Sequence, residues 1–103
     1  MSTDIREREV GMCKAFANST RWHILALLEQ GEWLTSKLRA KVGISKPNLS
    51  QQMAVLKGAG LVRTRREGRT IYCSLAFPEV KSACQRIHAV LRVQMRKGKR
   101  ARC

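Results

Sequence analysis

Residues Ser45–Leu75 read SKPNLSQQMAVLKGAGLVRTRREGRTIYCSL. Ser45 can cap a helix, because its short side-chain oxygen can accept from the first free amides. Pro47 then falls in the first turn, where a missing N–H costs nothing. Leu49, Met53 and Leu56 follow at i, i+4 and i+7, so one face of that helix is apolar. The other face carries Lys46, Asn48, Gln51, Gln52 and Lys57, and Gly58 and Gly60 mark its end. Beyond them Leu61–Arg65 and Arg69–Leu75 have the β-branched and apolar content of strands, joined through Arg66-Glu67-Gly68 as a hairpin. A short basic helix followed by an arginine-tipped hairpin is therefore the expected centre of the fold.

The charge around this stretch is one-sided. No Asp or Glu occurs between Glu32 and Glu67, yet Lys37, Arg39, Lys41, Lys46, Lys57, Arg63, Arg65 and Arg66 all do. Such a surface suits a polyanion, and double-stranded DNA is the natural one. The formal net charge of +14 agrees, although charge alone describes a ribosomal protein or a membrane-surface binder equally well.

The 103 residues suffice for one domain, and the 44% hydrophobic content for a packed core. No apolar run approaches the roughly 20 residues of a membrane span. The polar start MSTDIREREV does not read as a signal peptide, so a cytoplasmic protein without a membrane partner is expected. Cys13, Cys73, Cys84 and Cys103 form no CxxC pair, and free thiols are expected with no metal and no cofactor. The chain has no Gly-rich phosphate loop, nucleophile motif or paired acids, which argues against an enzyme.

Working outward, residues 5–17 can form a helix with Val10, Cys13 and Phe16/Ala17 on one face. Asn18-Ser19-Thr20 signals the start of a second, at about 19–30, whose broad apolar face (Trp22, Ile24, Leu25, Leu27, Leu28) suits the centre of a core. Thr35 can cap a third, with Leu38 and Val42 inward and Lys37, Arg39 and Lys41 outward, before a turn at Gly43. Pro78 begins a last helix striped by Val80, Ala83/Cys84, Ile87 and Leu91, reaching toward Met95. The expected organisation is one domain over 1–95 and a basic, flexible C-terminal tail over 96–103.

This order of elements is a winged helix-turn-helix: mainly α with a small β-hairpin. The residues also resemble the ArsR/SmtB family of repressors. NSTRWHILALLEQGE is similar to that family's NPTRLRILxLLxxGE. VGISKPNLSQQMAVLKGAGLVRTRREGRTIYCSL is similar to its LGLSQSxLSxHLxxLxxAGLVxxRREGRxxYYxL, the match running over about 15–75. The resemblance implies a homodimer through the first and last helices, an inverted-repeat operator, and a repressor released by an inducer. The alternative is a nonspecific basic nucleic-acid-binding protein, which the basic tail favours and the ordered helix-turn-helix and wing disfavour.

Within that frame Ser45, Lys46, Asn48, Gln51 and Gln52 are the candidates for the major groove, since asparagine and glutamine can pair with adenine edges and serine or lysine with bases or phosphates. Gln52 stands where the family commonly has His. Lys57, Arg63, Arg65, Arg66 and Arg69 are candidates for phosphates or the minor groove. The family's metal motifs are absent: Glu32–Leu38 replaces the thiolate motif ELCVCDL, and His88 stands alone on the last helix. So are the paired sensor cysteines of some members, whose positions hold Ala26 and Arg92. Cys13 and Cys84 remain on the two helices implied in the dimer. Lys14, Lys81 and Arg86 lie near them in sequence and would favour thiolate, so a thiol switch with Cys103 recruited from the tail is one expectation. The other is that Cys13 and Cys84 pack as small apolar residues. Cys73 is expected to be structural.

Overall fold

The computed structural model describes residues 2–98. Its elements are α1 (Ser2–Phe16), α2 (Ser19–Leu28), β1 (Trp33–Leu34), α3 (Thr35–Val42), α4 (Lys46–Gly58), β2 (Val62–Glu67), β3 (Thr70–Leu75) and α5 (Pro78–Arg96). This is the winged helix-turn-helix order.

The centre is α2. Asn18 starts it, its side-chain oxygen accepting from the Arg21 amide at 3.0 Å. Ile24, Leu25, Leu27 and Leu28 are all buried, so the broad apolar face is used. Leu38 from α3, Leu56 from α4, Cys73 from β3 and Cys84 from α5 meet Ile24 and Leu25 as fully buried side chains. One small core thus ties five elements together. The face of α4 built from Leu49, Met53 and Leu56 is buried as its spacing requires.

Gly43 ends α3 at φ 79, a left-handed conformation that glycine adopts without a Cβ clash. This turn sets the angle between α3 and α4. Thr35 does not cap α3. Leu34 holds that place without a side-chain bond, because its extended backbone (φ −66, ψ 129) is committed to pairing with Tyr72. β1 was not expected. It makes the hairpin a three-stranded antiparallel sheet in the order β1-β3-β2. Trp33 fastens it, its indole N–H donating to the Leu27 carbonyl at 2.9 Å.

The hairpin turn also differs from expectation. Glu67 pairs with Thr70, so Glu67 lies in the strand and the turn is Gly68-Arg69. Gly68 at φ 63 supplies the positive φ that such a tight turn needs. The stripe of α5 is buried only at Val80 and Cys84; Ile87, Val90, Leu91 and Met95 face outward, as do Val10 and Met12 of α1. Arg96, expected in the tail, is the last residue of α5, and residues 99–103 of that tail lie outside the described residues.

Leu56→Ala removes a fully buried side chain at the junction of α4 and α2. It should lower stability by about 2–5 kcal/mol. Urea unfolding followed by far-UV circular dichroism would measure the loss.

Candidate nucleic-acid interface

The outer face of α4 divides into free and engaged side chains. Lys46, Gln51 and Lys57 are exposed. Ser45 is also exposed, but its hydroxyl accepts from the Asn48 amide at 3.2 Å. It works first as the helix cap.

Asn48 and Gln52 are half-buried and bonded to each other, Gln52 Nε2 donating to Asn48 Oδ1 at 3.0 Å. Gln52 Oε1 in turn accepts from Arg21 Nη1 at 2.9 Å. Arg21 was not among the expected site residues. Its Nε donates to the Ala15 carbonyl at 2.8 Å and its Nη2 to the Lys14 carbonyl at 3.1 Å. One guanidinium on α2 therefore joins the end of α1 to the outer face of α4. Gln52 is a connecting residue here rather than a free reading head.

The wing shows a similar division. Strand residues alternate in facing, so Val62, Thr64 and Arg66 share one side of β2, and Arg63 and Arg65 the other. Arg65 is latched on its side. Its Nε and Nη2 donate to both Glu32 carboxylate oxygens, at 2.8 and 2.9 Å, a bidentate pair. Its guanidinium also lies 4.3 Å from the centroid of the Tyr72 ring. The hydrogen bond from Arg65 holds the Glu32 carboxyl below its usual range, with the charges of Arg65 and Arg63 adding to it. The expectation of Arg65 as a free phosphate contact thus meets a guanidinium already engaged by the protein.

Arg63, Arg66 and Arg69 are exposed, and among the described residues no carboxylate pairs with them or with Lys46 or Lys57. Between α4 and the wing runs an open cleft of about 840 Å³, edged by Lys46, Lys57, Arg66 and Arg69. It has uncompensated positive charge on both walls. Such a cleft can take a sugar-phosphate backbone while α4 faces the bases.

The cysteines separate as well. Cys13 is exposed on α1; Cys73 and Cys84 are buried. Burial pushes the Cys84 thiol up to about 11, with the Glu29 carboxylate raising it further. The lysine and arginine that adjoin Cys84 in sequence do not set its chemistry. The thiolate expected there is disfavoured by burial first and by the Glu29 carboxylate second. Cys73, raised by burial to about 11, packs in the core as expected. Cys103 lies outside the described residues. His88 stands 3.4 Å from Glu29 and edge-on to Trp22, and so has partners that its sequence position did not suggest. Among the described residues, no three His, Cys, Asp or Glu side chains gather as a metal site, and no helix is long and apolar enough to cross a membrane.

A family model described as bacterial regulatory protein, arsR family, matches residues 18–64. The chain is 37% identical over 79 residues to the biofilm growth-associated repressor of Agrobacterium fabrum, covering 77% of this chain and 68% of that protein. It is 36% identical over 81 residues to the transcriptional activator HlyU of Vibrio cholerae, covering 79% and 75%. Among solved structures, the homodimeric winged helix-turn-helix DNA-binding domain Mb0332 of Mycobacterium bovis superposes with a TM-score of 0.88 at 27% identity, covering 98% of this chain and 94% of that one.

The latch between Glu32 and Arg65 makes a measurable difference to charge. Glu32→Gln removes one negative charge beside the wing and leaves Arg65 only its looser contact with Glu67 at 3.6 Å. Binding to random-sequence DNA should tighten, and the slope of log affinity against log salt should steepen by about one per protomer. Fluorescence anisotropy across a salt series would show whether it does. Because the folded state lowers the pKa of Glu32, the latch is present above the unfolded-state pKa. It is lost as pH falls through the lower folded-state value, so the variant should differ least from the parent in acid.

Proposed function

The chain belongs to the bacterial ArsR family of regulatory proteins, and on that footing we propose that it is a homodimeric, sequence-specific repressor of transcription. In this reading α4 enters the major groove of double-stranded DNA, and the wing arginines hold the adjoining backbone or minor groove. Two copies meet an inverted-repeat operator, and an inducer releases them. The observation that carries the reading is the cleft between α4 and the wing. Lys46 and Lys57 on one wall and Arg66 and Arg69 on the other are cations without carboxylate partners among the described residues, and no acid intervenes in sequence between Glu32 and Glu67.

The dimer is supported by apolar surface. Ile87, Val90 and Leu91 on α5 and Val10 and Met12 on α1 are exposed in the single chain, and a domain this small gains from covering such residues. The Mycobacterium bovis domain it superposes on is described as homodimeric. Leu91→Glu should therefore shift the protein to monomer in sedimentation velocity without loss of helix signal. A variant that stays dimeric would place the interface elsewhere.

For release, the proposal is an inducer of the thiol-oxidant or arsenite type acting first at Cys13. That cysteine is exposed on a helix of the proposed interface, whereas Cys84 is buried with a raised pKa. The cytoplasm, where reduced thiols persist, is the compartment in which such a switch would operate.

The test is anisotropy with the promoter fragment of the protein's own gene and random DNA as competitor, reduced and after mild thiol oxidation. Gln51→Ala should weaken promoter binding more than random-DNA binding. Arg66→Ala should weaken both and lower the salt slope. With six to ten phosphates engaged, affinity should fall by about 10³–10⁵ between 50 and 200 mM salt. A ratio of specific to nonspecific affinity near one, over fragments spanning the genome, would favour the nonspecific nucleic-acid binder instead. Binding unaffected by oxidation would remove the cysteines from the release mechanism.

A further inference from the structure

The row Arg21, Gln52, Asn48 has a direction fixed by valence. A guanidinium has donors and no acceptor. The end of the Gln52 amide at 2.9 Å from Arg21 Nη1 must therefore be its oxygen. That turns the Gln52 NH₂ toward Asn48, and Asn48 must answer with its oxygen, at 3.0 Å. The Asn48 NH₂ is the end left for a partner outside the protein. Arg21 cannot readily turn away, because its other nitrogens donate to the last-turn carbonyls of α1 at Ala15 and Lys14.

We infer that Arg21 is a positioning residue for base selection: through Gln52 it fixes the sense of the Asn48 amide, so that α4 presents a hydrogen-bond donor at that place. The inference rests on the reading of α4 as the base-reading helix. It departs from what an asparagine does when free to rotate. Bidentate pairing with adenine needs the amide oxygen on N6 and the amide nitrogen on N7, both turned to the base. With its oxygen drawn back to Gln52, Asn48 suits an edge of acceptors, guanine O6/N7 or thymine O4. The exposed amino groups of cytosine and adenine are disfavoured, adenine less so because its N7 is a single acceptor beside that amino group. Glutamine at position 52 serves this relay because it accepts from Arg21 and donates to Asn48 at once.

The experiment is selection of bound duplexes from a randomised DNA library by the full-length protein and its variants, with the recovered sequences counted. The parent should favour G or T at one position of each half-site. Gln52→Glu still accepts from Arg21 but offers Asn48 only an oxygen. Asn48 must then turn its NH₂ inward and its oxygen outward, and the favoured base at that position should become A or C by roughly tenfold. Gln52→Met keeps the bulk and orients nothing, so preference at that position should fall below about threefold, within what one unbiased contact allows. Circular dichroism would confirm that each variant is folded. An unchanged preference in both Gln52 variants would overturn the relay. Asn48→Ala separates the two levels: if it alone abolishes the preference, base reading by α4 stands and only the relay falls. If Asn48→Ala keeps every preference of the parent, both fall together.

Discussion

A guanidinium that can only donate organises this molecule around its acceptors. Arg21 lies one turn into α2, the most buried helix, and gathers two carbonyls from the end of α1 and one amide oxygen from α4. These are the helices of the proposed dimer and of the proposed DNA contact. A lysine could not replace it, since a single ammonium lacks the planar fork that reaches three acceptors in fixed directions. The hydrophobic core holds α2 and α4 together but allows several side-chain arrangements on their outer edges. The hydrogen bonds of Arg21 select one of them.

Electrostatics work by exclusion rather than by attraction alone. Glu32, just before β1, is bound bidentately to Arg65, so it leaves Lys46, Lys57, Arg66 and Arg69 along the cleft unpaired among the described residues. Arg65 in turn ties β2 to Glu32, just before β1, and lies over the ring of Tyr72. The exposed pair is of modest energetic worth in water. Its value lies in which charges it leaves free: Lys46, Lys57, Arg66 and Arg69 face solvent without a carboxylate partner among the described residues.

The helices were legible because their signals are local. Ser45 with Pro47, the spacing of Leu49, Met53 and Leu56, and Gly43 and Gly60 each act within one or two turns of chain. Long-range pairings were not. β1 has two residues, too few to show a period, and exists because Trp33 and Leu34 find Cys73 and Tyr72 far along the chain. Arg65 looked like its neighbours until the fold brought Glu32 to it, across 33 residues. Gln52 and Asn48 read as free amides because Arg21, 31 residues earlier than Gln52, gave no local sign of reaching them. For Cys84 the thiolate reading rested on basic residues near it in sequence, whereas burial and Glu29 act on it in the fold, and its burial agrees with the other reading, a small apolar residue.

The hairpin meets the core through its inner half. Val62 is buried at one end of β2 and Cys73 in the middle of β3, while every residue of β2 after Val62 is exposed. Cross-strand pairing continues beyond Cys73 out to Glu67 and Thr70. Inserting or deleting residues at that outer end in matched pairs would preserve the register of the inner half and leave the core unchanged. The span of duplex covered by each half could then lengthen or shorten with little effect on folding. In such an architecture, footprint and stability can evolve as separate traits.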